Sequence, residues 1–447
     1  MSRIRASVAI GAIAACLMLM CSHVIAASEK VLWNFCTNKD TCNEADFTDH
    51  GPLLMDAAGN IYGTSGSGTG KYGFGTVFRL SPSGGRWHHT TLYNFSNARQ
   101  LGVKPMGALI MDTAGNLYGT ASEGGRLNHA GGTAFELMPP AGGGNAWKIK
   151  ILYYFCAYRG CPDGATPHAG LTYAGAASGL PYDGVSPLFG TTYEGGKYGH
   201  NCIGFQGCGA AYRLSFDGAV WKEDVLYTFC SEARCQDGDG PSGELAMDGQ
   251  GNLFGTTEGG GVGKCESPSC GTVFELSGNG GVWQHTALYN FCSQTSCTDG
   301  WVPQSGVIID AAGNLFGTTS IGGAMRAGTL FKMTWDPKQQ SWSHSIAYDF
   351  CAQTNCTDGA GPDALVMDAD GNLFGATSSG GANSFNGTIY KFSQAGYSVL
   401  YDFCARQACK DGQTPDTRLL LDQSGNLFGT TPFGGSDNHG VAFELMP

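Results

Sequence analysis

The sequence predicts an all-β fold: a seven-bladed β-propeller of four-stranded blades, closed 3+1, with the N-terminal strand completing the last blade. The first observation behind this is a repeat. Gly371-Asn-Leu-Phe-Gly-Ala-Thr377 has counterparts starting at Gly59, Gly115, Gly251, Gly313 and Gly425, and a degenerate one in Pro187-Leu-Phe-Gly-Thr-Thr192. Its companion Gly387-Thr-Ile-Tyr-Lys-Phe392 recurs at Gly75, Gly132, Gly209, Gly271, Gly328 and Gly440. Self-similarity at a fixed period marks a solenoid, a propeller or an array. The second observation is the unit length of about 54–69 residues, too long for one rung of a β-solenoid and suited to a propeller blade with long loops. The third lies at the two ends of the repeat region. Val31-Leu-Trp-Asn-Phe35 is the last strand of a unit with nothing of that unit before it. Gly440-Val-Ala-Phe-Glu-Leu445 is a third strand with no fourth after it. Pairing the two closes a ring and removes the open edges a linear array would expose.

In chain order, residues 1–27 read as a secretory signal peptide and residues 28–447 as one propeller domain. Arg3 and Arg5 form the basic start, an apolar run follows, and Val24-Ile-Ala26 or Ile25-Ala-Ala27 supplies small-residue cleavage sites. The apolar run is short for a membrane span, and no later stretch is long enough to be one.

Each unit then repeats one internal order. An apolar run ending in Asp is strand A, and Asp-x-x-Gly-Asn makes the A–B hairpin, since Gly and Asn accept the positive φ of such turns. Leu-Phe/Tyr-Gly-Thr is strand B. A variable Gly-rich loop leads to Gly-Thr-x-Phe-x-Leu, strand C. A polar turn and Trp lead to Leu-Tyr-x-Phe, strand D, as in Trp147 to Phe155. These are short runs rich in aromatic and branched residues, bounded by turn formers. No amphipathic helix stands out. The order sorts the loops: B–C and D–A loops share one face, and the shorter A–B and C–D turns share the other. The Gly175–Ser186 insertion is the one long A–B turn. Variable loops on a rigid scaffold are where binding and chemistry reside.

Of 18 cysteines, Cys16 and Cys21 leave with the leader. The others form close pairs: Cys36 with Cys42, Cys156 with Cys161, Cys202 with Cys208, Cys230 with Cys235, Cys265 with Cys270, Cys292 with Cys297, Cys351 with Cys356, and Cys404 with Cys409. An even count at regular spacing behind an export signal means disulfides. Zinc is disfavoured, because the usual C-x2-C spacing and paired histidines are missing. The net charge of −12, or −14 once Arg3 and Arg5 are removed, leaves no basic stripe for nucleic acid.

The units Phe-Cys-x4-Cys-x-Asp-Gly, Asp-x-x-Gly-Asn-Leu-Phe-Gly-Thr-Thr-x-x-Gly-Gly and Gly-Thr-x-Phe-Glu-Leu resemble the GloVer-type (Gloeo/Verruco) tandem-repeat family of secreted bacterial proteins, across residues 29–447. The hairpin is also similar to NHL-type propeller repeats. The resemblance implies export and fold and brings no established activity. Members often carry a C-terminal surface anchor. This chain stops at Pro447 after its last strand, so free release, secreted or periplasmic, is the expectation.

Candidate chemistry falls on the loop face. Asp163, Asp237, Asp299, Asp358 and Asp411 each precede Gly near the start of strand A, with Asp49 in the corresponding place of blade 1. Blade 2 departs, with Gly102-Val-Lys-Pro105. Such a carboxylate either caps its own turn or joins a ring that could hold a divalent cation; no cofactor is otherwise called for. Glu123, Glu194 and Glu258 fall at matching places ahead of Gly-Gly in blades 2, 3 and 4, with His129 and His200 deeper in the loops of blades 2 and 3. Carboxylates and imidazoles converging there could do acid–base work on a polysaccharide. Tyr72, Tyr193, Tyr198, Trp301 and Phe433, with His439, are candidates for ligand binding, since aromatics beside polar groups suit sugar stacking or protein contact. The Trp before strand D (Trp87, Trp147, Trp221, Trp283, Trp342) repeats too regularly for a site and is expected between blades. No Gly-x-Ser-x-Gly elbow, HExxH, phosphate loop or dinucleotide fingerprint occurs. Three readings follow: a monomeric extracellular binding module for a glycan or other polymer, a polysaccharide lyase or glycoside hydrolase on the same face, and a scaffold for a protein partner.

Overall fold

A computed structural model of the protein describes residues 27–36, 51–66, 73–95, 99–125, 131–142, 146–197, 207–264, 270–279 and 281–447. Residues 1–26, all but the last residue of the signal peptide expected from the sequence, lie outside the described residues, as do Cys42, Asp49, Tyr72, His129, Tyr198, His200, Cys202 and Cys265.

The strands form seven antiparallel sheets, each running A-B-C-D outward from the ring's centre, as in Ala246–Met247, Leu253–Thr257, Thr272–Asn279 and Val282–Asn290 of blade 4. Blade 7 takes Leu420–Leu421, Leu427–Thr431 and Val441–Met446 from the C-terminal end, and Ser28–Asn34 completes it as the outermost strand. That closing pair runs in register from Ser28 opposite Met446 to Asn34 opposite Val441. The ring is closed as the chain ends predicted. Every C–D pair carries a register irregularity at the same place, where the first residue of Leu-Tyr-x-Phe is passed. The closing strand has it too, between Val31 and Trp33, so it is built as a D strand and not as an appended ribbon. Short 3-10 turns are the only helical elements among the described residues, and no helix among them is long and apolar enough to cross a membrane.

The repeat signature is explained by packing. Gly317 of strand B faces Phe331 of strand C, and a Cβ at Gly317 would lie 2.5 Å from the Phe331 ring. Gly328 opens strand C at φ +95°, with the Thr319 carbonyl and the Pro362 ring of the next blade both about 2.5 Å from where a Cβ would sit. One glycine admits the aromatic ring and the other admits the next blade. The core lies between blades: Leu32, Phe35 and Ala442 of blade 7 pack with Leu53, Ile61 and Phe78 of blade 1. Trp283 and Trp342 meet Phe189 and Phe254 of the preceding blades edge-on, as expected for inter-blade packing.

Threonine hydroxyls add directional ties between blades. Thr120 donates to the Ala169 carbonyl of the next blade at 2.9 Å, Thr256 to that of Ser305 at 2.7 Å, and Thr318 to that of Asp363 at 2.9 Å. The following threonine serves its own loop, as when Thr319 donates to Ile321 O and accepts from the Thr329 N–H.

Candidate functional site: the mouth of the central channel

The D–A loops are fixed first. Five of the predicted cysteine pairs lie wholly within described loops and are disulfides: Cys156 bonds Cys161, Cys230 bonds Cys235, Cys292 bonds Cys297, Cys351 bonds Cys356, and Cys404 bonds Cys409. All ten of these residues adopt positive φ, a conformation costly for side-chain-bearing residues. The loop holds it with the disulfide and a buried carboxylate. Asp299 accepts from Tyr289 Oη at 2.7 Å, from the Ser293 N–H at 2.9 Å and from Ser293 Oγ at 2.8 Å. Asp163, Asp237, Asp358 and Asp411 make the same Tyr and backbone contacts, and all five are buried. These aspartates therefore cap their own loops, and the turn-capping alternative is the one realised. Cys36, Cys208 and Cys270 are also disulfide-bonded, their sequence-predicted partners Cys42, Cys202 and Cys265 lying outside the described residues. The sulfurs of Cys208, Cys230 and Cys235 cluster within 4.8 Å of one another, but as disulfides they offer no thiolate to a metal.

After Asp-Gly, each chain crosses the rim beside its own B–C loop. Ala165 bridges Glu194, Asp239 bridges Gly259, Trp301 bridges Ile321, and Gln413 bridges Phe433. The next residue has left-handed φ at Lys104, Thr166, Val302 and Thr414, and its N–H donates to the B–C loop of the preceding blade, as from Thr166 to Gly131 and from Thr414 to Asn386. Among the described residues, backbone bonds thus link each rim loop to the next from blade 1 through blade 7.

This register corrects one sequence expectation. Ala121, Thr192 and Thr257 pair with Thr133, Ala210 and Thr272 at the starts of their C strands. Glu258 consequently matches Ser122 and Tyr193, while Glu123 and Glu194 match Gly259. The run Gly259-Gly260-Gly261 disguised the offset, and a one-residue step on a strand reverses the side of the side chain. The three glutamates do not form one ring. Glu123 is exposed and pairs with Lys104 of its own blade at 2.6 Å. Glu194 accepts from Thr166 Oγ1 at 3.3 Å. Glu258 reaches instead to the neighbouring blade and accepts from Tyr193 Oη at 3.2 Å.

Tyr193 is the centre of what does converge. His168, which follows Pro167 at the head of the blade 3 inner strand, stacks on its ring at 5.0 Å and 22°. His168, Tyr193 and Glu258 thus make one contact chain across blades 3 and 4, all three half-buried. Burial, then the charges of Glu258, Asp239 and Glu194, push the Tyr193 hydroxyl far up, so it stays protonated. Of the other candidates, Trp301 is partly buried on the rim of blade 5, Phe433 is exposed on that of blade 7, and His439 is partly buried at the entry to its C strand.

Below the mouth, the residue before the buried Leu or Val of each inner strand is small in five blades: Pro52, Ala108, Gly170, Gly306 and Ala364. Blades 4 and 7 place Glu244 and Arg418 there, and these two form an ion pair across the ring. A Cβ on Gly170 would lie 2.8 Å from Glu244 Oε1, so small neighbours make the space this pair fills. Sequence reading missed both residues. Their signal was a charge breaking a column of small residues.

A seven-bladed propeller built of tandem repeats, with stapled rim loops and a polar channel mouth, is the class of protein this geometry defines. Residues 177–355 and 343–447 match the profile of the Gloeobacter/Verrucomicrobia repeat, well over half the chain, and the chain belongs to that family. Among curated proteins, none matches the sequence. Among solved structures the chain is similar to a puromycin-hydrolysing peptidase of Mycobacterium tuberculosis, with 12% identity, a TM-score of 0.50 and coverage of 88% of this chain. The match spans about half (51%) of the peptidase chain, and at this identity it is a likeness of fold alone.

Proposed function

We propose that this protein is an extracellular binding module for a glycan or another extracellular polymer, and that the channel mouth on the loop face is its site. The observation that carries the reading is the His168–Tyr193–Glu258 chain. It offers an aromatic face flanked by hydrogen-bonding groups on a rim that backbone bonds hold rigid, which is the mixture sugar recognition uses. The export signal read from the sequence, an acidic charge and disulfide-stapled loops accord with an extracellular setting.

The enzyme alternative has weaker support. A lyase would need a base, and a tyrosine held protonated by its surroundings is a donor, not a base. A glycoside hydrolase would need two carboxylates facing one bond. Glu123 is engaged with Lys104 in its own blade, while Glu258 is engaged with Tyr193. The peptidase likeness brings no activity to this chain.

The test is a glycan array followed by calorimetry on the mature chain, with a reducing-end release assay run in parallel. Binding that falls about tenfold or more in Tyr193→Ala and in Glu258→Gln, the worth of a lost stacking or charge-assisted contact, is the expected result. Binding indifferent to both substitutions, or none across a broad panel, overturns the site. Release of reducing ends that vanishes in Glu258→Gln overturns the binding-only reading in favour of the enzyme.

A further inference from the structure

The closing strand departs from the repeat in a way that ring closure does not require. The second residue of Leu-Tyr-x-Phe is tyrosine in the other six blades: Tyr93, Tyr153, Tyr227, Tyr289, Tyr348 and Tyr401. In the closing strand it is Trp33, which stacks on His89 of blade 1 at 5.6 Å and 18°. Beside it lies an open groove of about 360 Å³ on the outer wall, at the seam between blades 7 and 1 and away from the channel mouth. Trp33 and Trp87 line it together with Lys30, Asn34 and Arg86.

The two cations are specific to this seam. Lys30 lies two residues before Leu32, and Arg86 immediately precedes Trp87. The corresponding pairs at the next four seams are Thr90 with Ala146, Lys150 with Val220, Asp224 with Val282, and Thr286 with Ser341. No other of these seams brings two cations together. Arg86 and Lys30 are exposed. Among the described residues the one acidic contact to either is a long one, Lys30 to the largely buried Glu444 at 3.8 Å, which leaves the exposed ammonium free to meet a ligand anion.

We propose that this seam is a second binding site, for an anionic saccharide whose pyranose ring packs on Trp33 and Trp87 and whose carboxylate or sulfate is held by Arg86 and Lys30. Indole faces accept the apolar face of a sugar ring, and a guanidinium matches a carboxylate or sulfate with two parallel hydrogen bonds. The groove's volume lies within the size range of small-ligand sites, and its open shape suits a chain segment lying along the surface. A local cationic pair on a chain of net charge −12 makes binding salt-sensitive and selective for a short anionic segment. The proposal stands independently of the channel mouth.

Calorimetry and tryptophan fluorescence on the mature chain test it, with tetragalacturonate, its methyl ester and a sulfated chondroitin tetrasaccharide as probes. Binding of at least one anionic probe is expected, with tryptophan emission changed, affinity lowered by high salt, and the neutral ester weaker by about tenfold or more. A double variant carrying Lys30→Ala and Arg86→Ala should lose a similar factor, and both positions are exposed, so its fold is retained. Tyr193→Ala should leave this binding unchanged, which separates the seam from the mouth. Which anionic probe binds decides between carboxylate and sulfate. Equal affinity for ester and acid, unaltered affinity in the double variant, or no binding of either anionic probe overturns the proposal.

Discussion

The seam between blades 4 and 5 and the seams made by the closing strand use one backbone device with different side chains. At the ordinary seam, His344 lies flat on Tyr289 at 3.9 Å, and Tyr289 donates to the buried Asp299. His285 on Tyr227 and Tyr397 on Tyr348 repeat the arrangement. In the closing strand the position of His344 belongs to Glu29. It sits beside Tyr401 and Asp411 of the preceding seam and pairs with Arg406 at 2.7 Å. Stacked rings hold this position at the seams of His89, His285, His344 and Tyr397, Ile149 and Glu223 hold it in blades 2 and 3, and at the last seam it is a buried carboxyl beside Arg406. The lesson is that the bulged D-strand register builds the ring, while the residue on the neighbouring tyrosine is free to carry another property. Here that property is charge, and hence sensitivity to pH.

The largest effect belongs to the closing strand. A chain lacking residues 28–34 leaves Val441–Met446 as an open edge and exposes the side chains that Leu32 covers, a loss on the order of 5 kcal/mol or more. Its melting temperature should fall sharply, with self-association visible by size-exclusion chromatography. An unchanged melting transition would dissolve the distinction between the two kinds of seam.

Next comes the buried carboxylate. Asp299→Ala strands Tyr289 Oη and the Ser293 N–H and should cost about 2–4 kcal/mol in denaturant unfolding. Asp411→Ala should cost less above pH 7, because the Asp411 charge also opposes ionisation of Glu29. Equal losses would argue that Glu29 feels no such repulsion.

The two seams should then respond oppositely to pH. Burial pushes the His344 imidazole down to about 4. The unfolded chain takes up a proton near 6.5 that the folded chain refuses, so stability is lost as pH falls from about 6.5 to about 4, by up to about 3 kcal/mol for a group this buried. Burial pushes the Glu29 carboxyl up to about 7, with Arg406 pulling against it. The folded chain holds a proton that the unfolded chain releases near 4.5, so this contribution declines as pH rises from about 4.5 to about 7. His344→Phe should make the acid limb shallower and leave the other unchanged, since His89 and His285 are pushed down in the same way and still contribute. Glu29→Gln should make the other limb shallower, with Glu223, which burial also pushes up, still contributing. The readout is the denaturation midpoint against pH, and a variant that flattens the wrong limb refutes the assignment. Smallest is Thr256→Val, which removes one inter-blade hydrogen bond and should cost about 1 kcal/mol by the same assay.

The fold was legible because its determinants repeat. Glycines that admit a ring or a neighbouring blade, Asp-x-x-Gly-Asn hairpins whose aspartate bonds both the Asn N–H and its side chain, and lone strands at the two ends are each local facts. The candidate site was legible only in part. Tyr193 and Glu258 were singled out, but their contact was not, because it joins loops 65 positions apart and turns on a one-residue register hidden by a glycine run. Glu244 and Arg418 escaped for a related reason. They lie 174 positions apart and meet only because the ring is closed. Repetition reports backbone, whereas a site is where blades stop repeating.

Backbone hydrogen exchange on the mature chain tests the closed ring most directly. Amides of Ser28–Asn34 that pair with Val441–Met446 should exchange slowly, with protection comparable to that of Val282–Asn290, the outer strand of blade 4. Exchange of the 28–34 amides at unprotected rates, with blade 4 still protected, would contradict it.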